Sequence, residues 1–239
     1  MRYSPILFLR SALFYVGYFS VTIILSSFFV IVFPFVPDRT RYYMATWWCG
    51  FILAWLRVCC GIRYELEGVE NLPTVPVVVL SNHQSQWETI LFYKLVFPVV
   101  PILKRELLNI PFWGWALRFQ KPIAIDRSKP REAGRSLLIQ GVDRIRRGYS
   151  IIIFPEGARS LPGKMKRFSR GGAKLAVAAG APILPIAHNA GDCWPPRSFI
   201  KYPGVIRVTI GAPIETLNKS DAVLTALVET WIAEQLQRS

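Results

Sequence analysis

Cysteine, histidine and acidic side chains are the scarce residues of this 239-residue chain, and each shortage removes a class of chemistry. The four cysteines, Cys49, Cys59, Cys60 and Cys193, include no C-x-x-C pair, and three of them lie in or beside an apolar stretch. That pattern is neither a disulfide framework nor a zinc site, and it points to a reducing, cytosol-facing chain with no metal. No G-x-S-x-G sequence occurs, so a serine-hydrolase elbow is unsupported. Gly163-Lys164 resembles the end of a nucleotide-binding loop, but its spacing from Gly157 is one residue too long and Met165 stands where Ser or Thr is needed. With 15 acidic residues against 29 basic ones the formal charge is +14, so the expected partners are anionic: phosphate head groups, nucleic acid or an acidic carrier. The aromatic residues fall in apolar segments instead of alternating with the basic ones, which argues against a nucleic-acid surface.

Apolar residues are plentiful: hydrophobic side chains make up 52% of the chain and the mean hydropathy is +0.31. Residues 11–36 carry no charge. A helix over about 11–33 would reach the roughly 30 Å of a hydrocarbon core, and the run is too long for a signal peptide. A second apolar stretch, 42–56, holds Trp47, Trp48 and Trp55, which suit a membrane interface. Basic residues flank both stretches: Arg2 and Arg10 before, Arg39 and Arg41 between, Arg57 and Arg63 after. A helical hairpin dipping into one leaflet and a single span both accommodate these flanks. The expected organisation is a membrane-anchoring helical segment over 1–62 and an α/β domain over 63–239. The latter would face the cytoplasm, at the inner membrane in a bacterial cell.

Beyond Gly61, short β-rich runs alternate with helical patterns. Strands are expected at 75–80, 122–126, 150–154, 183–187 and 206–210, and extended chain at 98–104. Helices are expected at 85–96, 111–119, 130–147, 172–179 and 221–237. The 150–154 strand stops at Pro155, so the loop after it sits at a strand's C-terminal end, where open α/β sheets place their ligands.

Ser81 to Glu88, SNHQSQWE, is the most informative segment because it joins a buried strand to a helix. Along a continuous helix His83 and Glu88 would point apart, some 140° around the axis. With His83 in the turn before the helix, a first-turn carboxylate can fold back and hold one ring nitrogen protonated while the other accepts a proton. Ser85 to Glu88 also matches a helix capping box, S-x-x-E, and the two readings are compatible. The other histidine, His188, reads as structural. In the second segment, FPEGARS, Glu156 and Gly157 form a turn that lets backbone approach a ligand, and Arg159 offers a planar fork for a phosphate. The third, IAIDR, puts Arg127 just past a strand end, where it could meet the same phosphate. Lys104 and Arg105 add charge beside an aromatic surface. Each of these basic residues, taken singly, also reads as a solvated side chain.

In this order the segments resemble the 1-acyl-sn-glycerol-3-phosphate acyltransferase family of glycerolipid acyltransferases. Asn82, His83 and Glu88 match its N-H-x4-D block with Glu for Asp. Ile123, Ile125, Asp126 and Arg127 match G-x-I-x-I-D-R, with Lys121 where Gly is expected. Phe154 to Ser160 match F-P-E-G-T-R-S with Ala158 for Thr, and Leu184, Pro185 and Ile186 match the V-P-I-like strand. The resemblance implies a mixed sheet flanked by helices, with an N-terminal two-helix membrane element. It also implies transfer of an acyl chain from acyl-CoA or acyl-carrier protein, without a cofactor, to the sn-2 hydroxyl of lysophosphatidic acid, giving phosphatidic acid. His83 and Glu88 would then be catalytic. Arg127, Glu156, Gly157 and Arg159 would surround the acceptor phosphate, with Lys104 a further contributor. The same chemistry on another lysophospholipid, a lyso-aminolipid or glycerol 3-phosphate, or a non-catalytic membrane adaptor of this fold, stays open at this point.

Overall fold

The computed structural model describes residues 4–126 and 128–238; Arg2 and Arg127, both named above, lie outside the described residues. The first helix, α1 (Pro5–Val32), begins with proline at a position whose missing N–H would have had no helical partner. Its amphipathicity is inverted. Ser11, Thr22 and Ser26 face inward with Phe14 and Phe29, while Ile6, Leu9, Leu13, Val16, Phe19, Ile23, Phe28 and Ile31 are each at least 50% exposed. The Ser11 and Thr22 hydroxyls are satisfied within the protein. Ser11 Oγ donates to Leu7 O at 2.7 Å, and Thr22 Oγ1 accepts the Trp48 indole N–H at 3.0 Å. An outward stripe of large apolar side chains is stable only against an apolar surrounding.

A short turn leads into α2 (Asp38–Cys60), which ends at Gly61 in the left-handed conformation, φ +69°. The two helices pack antiparallel, with Phe14 against Trp55 and Thr22 against Trp48. At Gly17 a Cβ would come within 2.2 Å of the Trp55 ring, so glycine permits the close approach. Arg10 Nε donates to Cys59 O at 2.7 Å, bringing both ends of the hairpin together. Both helices are long and apolar enough to cross a membrane.

Among the described residues seven strands follow: β1 (Ile62–Glu67), β2 (Val78–Ser81), β3 (Val99–Lys104), β4 (Ile123–Ile125), β5 (Ser150–Ile153), β6 (Ile183–His188) and β7 (Gly204–Ile210). They form one sheet in the order β1-β7-β6-β2-β5-β3-β4. Every neighbouring pair is parallel except β6 with β7, so the sheet is mixed, as expected. The sheet's alternation feeds two cores: Val77 and Val79 face one, Val78 and Leu80 the other. α1, α2 and α3 (Trp87–Leu95) contribute to the first. The second is covered by α5 (Pro130–Arg146), α6 (Gly171–Ala179) and α8 (Asp221–Arg238). α4 (Trp113–Arg118) packs on α1. Strand β1 and the short helix α7 (Ala190–Cys193) were not foreseen. The sequence IRYELE alternates apolar and charged residues as an edge strand does, but Arg63 also reads as a membrane flank.

The hairpin is stapled to the body by a buried cation. Lys201 has no exposed surface, and its ammonium donates to Tyr15 Oη at 2.8 Å, Phe199 O at 2.8 Å and Ser198 O at 3.0 Å. It also lies over the Tyr15 and Trp194 rings, 4.6 and 4.8 Å from their centroids. Burial pushes the Lys201 pKa down to about 8, whereas unfolding returns it to the ordinary 10.5. Between these values the unfolded chain binds more protons than the folded one, so this residue's contribution to stability rises with pH. The melting temperature of the wild type minus that of Lys201→Met, in detergent, should therefore grow by several degrees from pH 7.5 to pH 10. A flat difference would mean that the ammonium is not desolvated.

Candidate active site

Strand β2 runs out at Ser81, and residues 82–86 turn into α3. Glu88 lies in the first helical turn with no exposed surface, and its Oε1 reaches back to His83 Nδ1 at 2.7 Å. The same oxygen accepts the backbone N–H groups of Ser85 at 2.9 Å and Gln84 at 3.1 Å. The carboxylate thus serves as the returning half of the capping box and as the partner of the imidazole at once. Oε2 is buried with no partner among the described residues. Burial disfavours the charged Glu88, yet its pKa lies below the ordinary carboxylate value. A charged His188 would pull it down furthest, but burial lowers the His188 pKa too. The anion is therefore sustained chiefly by the His83 and backbone donors. Because a carboxylate only accepts, Nδ1 of His83 carries the proton and Nε2 keeps its lone pair.

The parallel neighbours of β2 build the back of the site. Leu80 is in register with Ile153 of β5, so the chain beyond each strand emerges side by side. Phe154 stacks on the His83 ring, centroids 4.1 Å apart and planes 13° apart. Glu156 Oε1 accepts the His83 N–H at 2.7 Å, and Oε2 accepts the Lys166 N–H at 3.0 Å. Ser160 N–H closes the bracket on His83 O at 2.8 Å. Both oxygens of the Glu156 carboxylate are thereby committed to backbone N–H groups. On the other side Ser81 pairs with Ile186 of β6, which puts Asn82 beside His188. Asn82 Nδ2 donates to His188 O at 2.8 Å, and Asn82 Oδ1 accepts the His188 N–H at 3.1 Å. His188 Nε2 donates to Asn82 O at 3.0 Å while its Nδ1 accepts Ala190 N–H at 3.2 Å, which defines a neutral ring. His188 is a structural residue that locks the turn holding His83.

The His83 ring lines a cavity of about 770 Å³ that continues between α1, α2, α3 and α4. Its far walls are apolar, with Phe29, Phe33, Trp48, Ile90 and Ala116 among them. At the His83 end stand Gly157, Ala158 and Arg159, and Lys104 and Ile125 line it as well. Gly157 has φ +73° and open space where a Cβ would go, so it answers a backbone requirement and not crowding. Arg159 is exposed. Lys104 is more compromised, since its Nζ lies 3.2 Å from Glu106 Oε1. One cation escaped the sequence reading: Arg197, which lines the same cavity with φ +60° in the loop stapled by Lys201. Its only signal is its place in WPPRSFIK, directly after a proline pair, which carries no spacing rule. At Lys121, the departure from the glycine of the second block, φ is +50°. A lysine here bears a left-handed strain of about 1–2 kcal/mol that glycine would not. Its ammonium meets Asp38 at the start of α2, and its carbonyl accepts Arg144 Nε at 3.0 Å.

A family model described as "Acyltransferase" matches residues 63–189, more than half of the chain. The chain belongs to the acyltransferase family. Among relatives in this family, the 1-acyl-sn-glycerol-3-phosphate acyltransferase of Pseudomonas aeruginosa is 43% identical over 98% of this chain and 92% of its own length. The human 1-acyl-sn-glycerol-3-phosphate acyltransferase alpha is 34% identical over 71% of this chain and 62% of its own. The crystal structure of the 1-acyl-sn-glycerophosphate (LPA) acyltransferase PlsC from Thermotoga maritima matches with a TM-score of 0.82 and 25% identity, covering 96% of this chain and 94% of that one. The match to this acyltransferase structure spans the hairpin as well as the sheet.

Proposed function

We propose that this acyltransferase moves a fatty acyl group from acyl-CoA or acyl-carrier protein to the sn-2 hydroxyl of 1-acyl-sn-glycerol 3-phosphate, forming phosphatidic acid. The observation that carries the reading is the 2.7 Å contact of His83 Nδ1 with the buried Glu88 carboxylate, which leaves Nε2 as the basic atom of a ring lining the cavity. Nε2 takes the hydroxyl proton as the oxygen attacks the thioester carbonyl. The C–S bond then breaks, and the imidazolium returns its proton to the leaving thiolate. Glu88 orients the ring and offsets its transient charge. No acyl-enzyme and no cofactor is needed. Arg159 and Arg127 take the acceptor phosphate, assisted by Arg197 and Lys104, while Glu156 and Gly157 hold the loop in shape. The apolar far walls suit an acyl chain, which reaches them from the bilayer without crossing water. Residues 1–62 anchor the chain and 63–239 carry the chemistry on the cytoplasmic face of the membrane.

Thiol release by the detergent-purified protein, given lysophosphatidic acid or other lyso-acceptors with either donor, tests this reading. Lysophosphatidic acid should be the preferred acceptor. In the same assay Arg159→Ala should raise KM for the lysolipid about 10-fold to 100-fold, the equivalent of one charge-assisted contact of about 1.5–3 kcal/mol. An unchanged KM would remove Arg159 from the phosphate site.

A further inference from the structure

A second depression, about 340 Å³, lies between α5 and α6. Arg131 and Arg135 stand one turn apart on its α5 wall, and Arg170 and Lys174 one turn apart on its α6 wall. All four are exposed, and among the described residues none of them has a carboxylate at ion-pair distance. Like charges one helical turn apart repel each other, and an anion entering a groove faced by two such pairs relieves that repulsion. The charge continues onto the preceding loop through Lys164, Lys166 and Arg167, all exposed.

Two features say what that anion is. Leu137 and Gly171 line both this depression and the His83 cavity, so the two adjoin. A ligand held by its anionic end between α5 and α6 can pass an arm over Leu137 to the imidazole. A thioester on a phosphopantetheine arm is built in that way. The cations also spread over two helices and a loop, around a floor that includes Leu137 and Leu138. That is wider than one nucleotide's phosphates require, and it matches an amphipathic acidic helix laid in a groove. Membrane lipid fits less well. The α5–α6 layer covers the sheet face opposite the core that α1, α2 and α3 help to build.

We infer that the α5–α6 cleft docks the acidic helix of an acyl-carrier protein and presents its thioester to His83 past Leu137 and Gly171. The inference rests on the acyltransferase reading above. Its test compares acyl-carrier protein and acyl-CoA of one chain length as donors for the wild type, Arg131→Glu/Arg135→Glu and Lys174→Glu. The ratio of KM for acyl-carrier protein to KM for acyl-CoA should rise at least tenfold in both variants, and the wild-type KM for the carrier should climb with salt. Turnover of acyl-CoA shows that each variant is folded. A ratio that stays constant overturns the inference. If both KM values rise together, the cleft serves coenzyme phosphates or anionic lipid instead, and binding to vesicles with and without anionic lipid separates those two. A wild type that uses acyl-CoA and refuses the carrier overturns the docking but spares the proposed function. One that uses neither donor ends both.

Discussion

Replacing His83 with alanine is expected to lower turnover at least a thousandfold while leaving the protein in the membrane. A positioned general base contributes about 100-fold to 10,000-fold, and the upper part of that range applies because the attacking alcohol is a weak nucleophile at neutral pH. Glu88 at Nδ1 and the Phe154 ring on one face hold the imidazole, and Glu156 and Ser160 hold the His83 backbone N–H and C=O. Alanine keeps the backbone bracket, so the loop should persist. Membrane retention depends on the outward apolar stripe of α1, which His83 does not touch. Thiol release reports the rate, and pelleting after carbonate treatment reports integration. Turnover within tenfold of wild type would rule His83 out as the base. A variant released into the soluble fraction would show that the substitution disturbed more than the site.

Glu88→Gln should cost nearly as much, about 1,000-fold or more, through the tautomer of His83. The glutamine amide can donate to Nδ1, which would move the ring proton to Nε2 and remove the base. It also offers a weaker acceptor to the Gln84 and Ser85 N–H groups that converge on Oε1. Glu88→Asp keeps the charge with one methylene fewer, and Asp is the residue of the N-H-x4-D block, so its rate should stay within about tenfold. The pH behaviour separates charge from shape. The folded-state Glu88 pKa lies below the ordinary 4.5, so its stabilising contribution is present above pH 4.5 and is lost as pH falls through the lowered value. The melting-temperature gap between wild type and Glu88→Gln should therefore narrow below pH 4.5, and the gap to Glu88→Asp should not. Equal rates for Gln and Asp would show that the carboxylate charge is irrelevant.

Much of the fold was legible because it is local. An uncharged apolar run becomes a long helix, and a β-rich run stopped by proline becomes a buried strand, whatever surrounds them. The expected strand 150–154 and helix 130–147 coincide with β5 and α5 to within one residue. β1 was missed because an edge strand's charged residues look the same as flanks of a membrane helix. Lys201 was missed because nothing along FIKYP tells a buried lysine from a solvated one; only the α1 face supplies Tyr15, and only the chain fold supplies Trp194.

The His83 and Glu88 contact belongs to the local class. A strand end, a tight turn and a first-turn carboxylate bring them together within six residues, so the spacing along SNHQSQWE permits that meeting once His83 falls in the turn ahead of the helix. What tertiary structure alone decided is the company they keep. Glu156 meets the His83 backbone, His188 meets Asn82, and Arg159 lines the His83 cavity because β2 lies between β5 and β6, strands about 70 and 105 residues further along the chain. Strand order follows from which faces must be buried together, a property of the whole sheet.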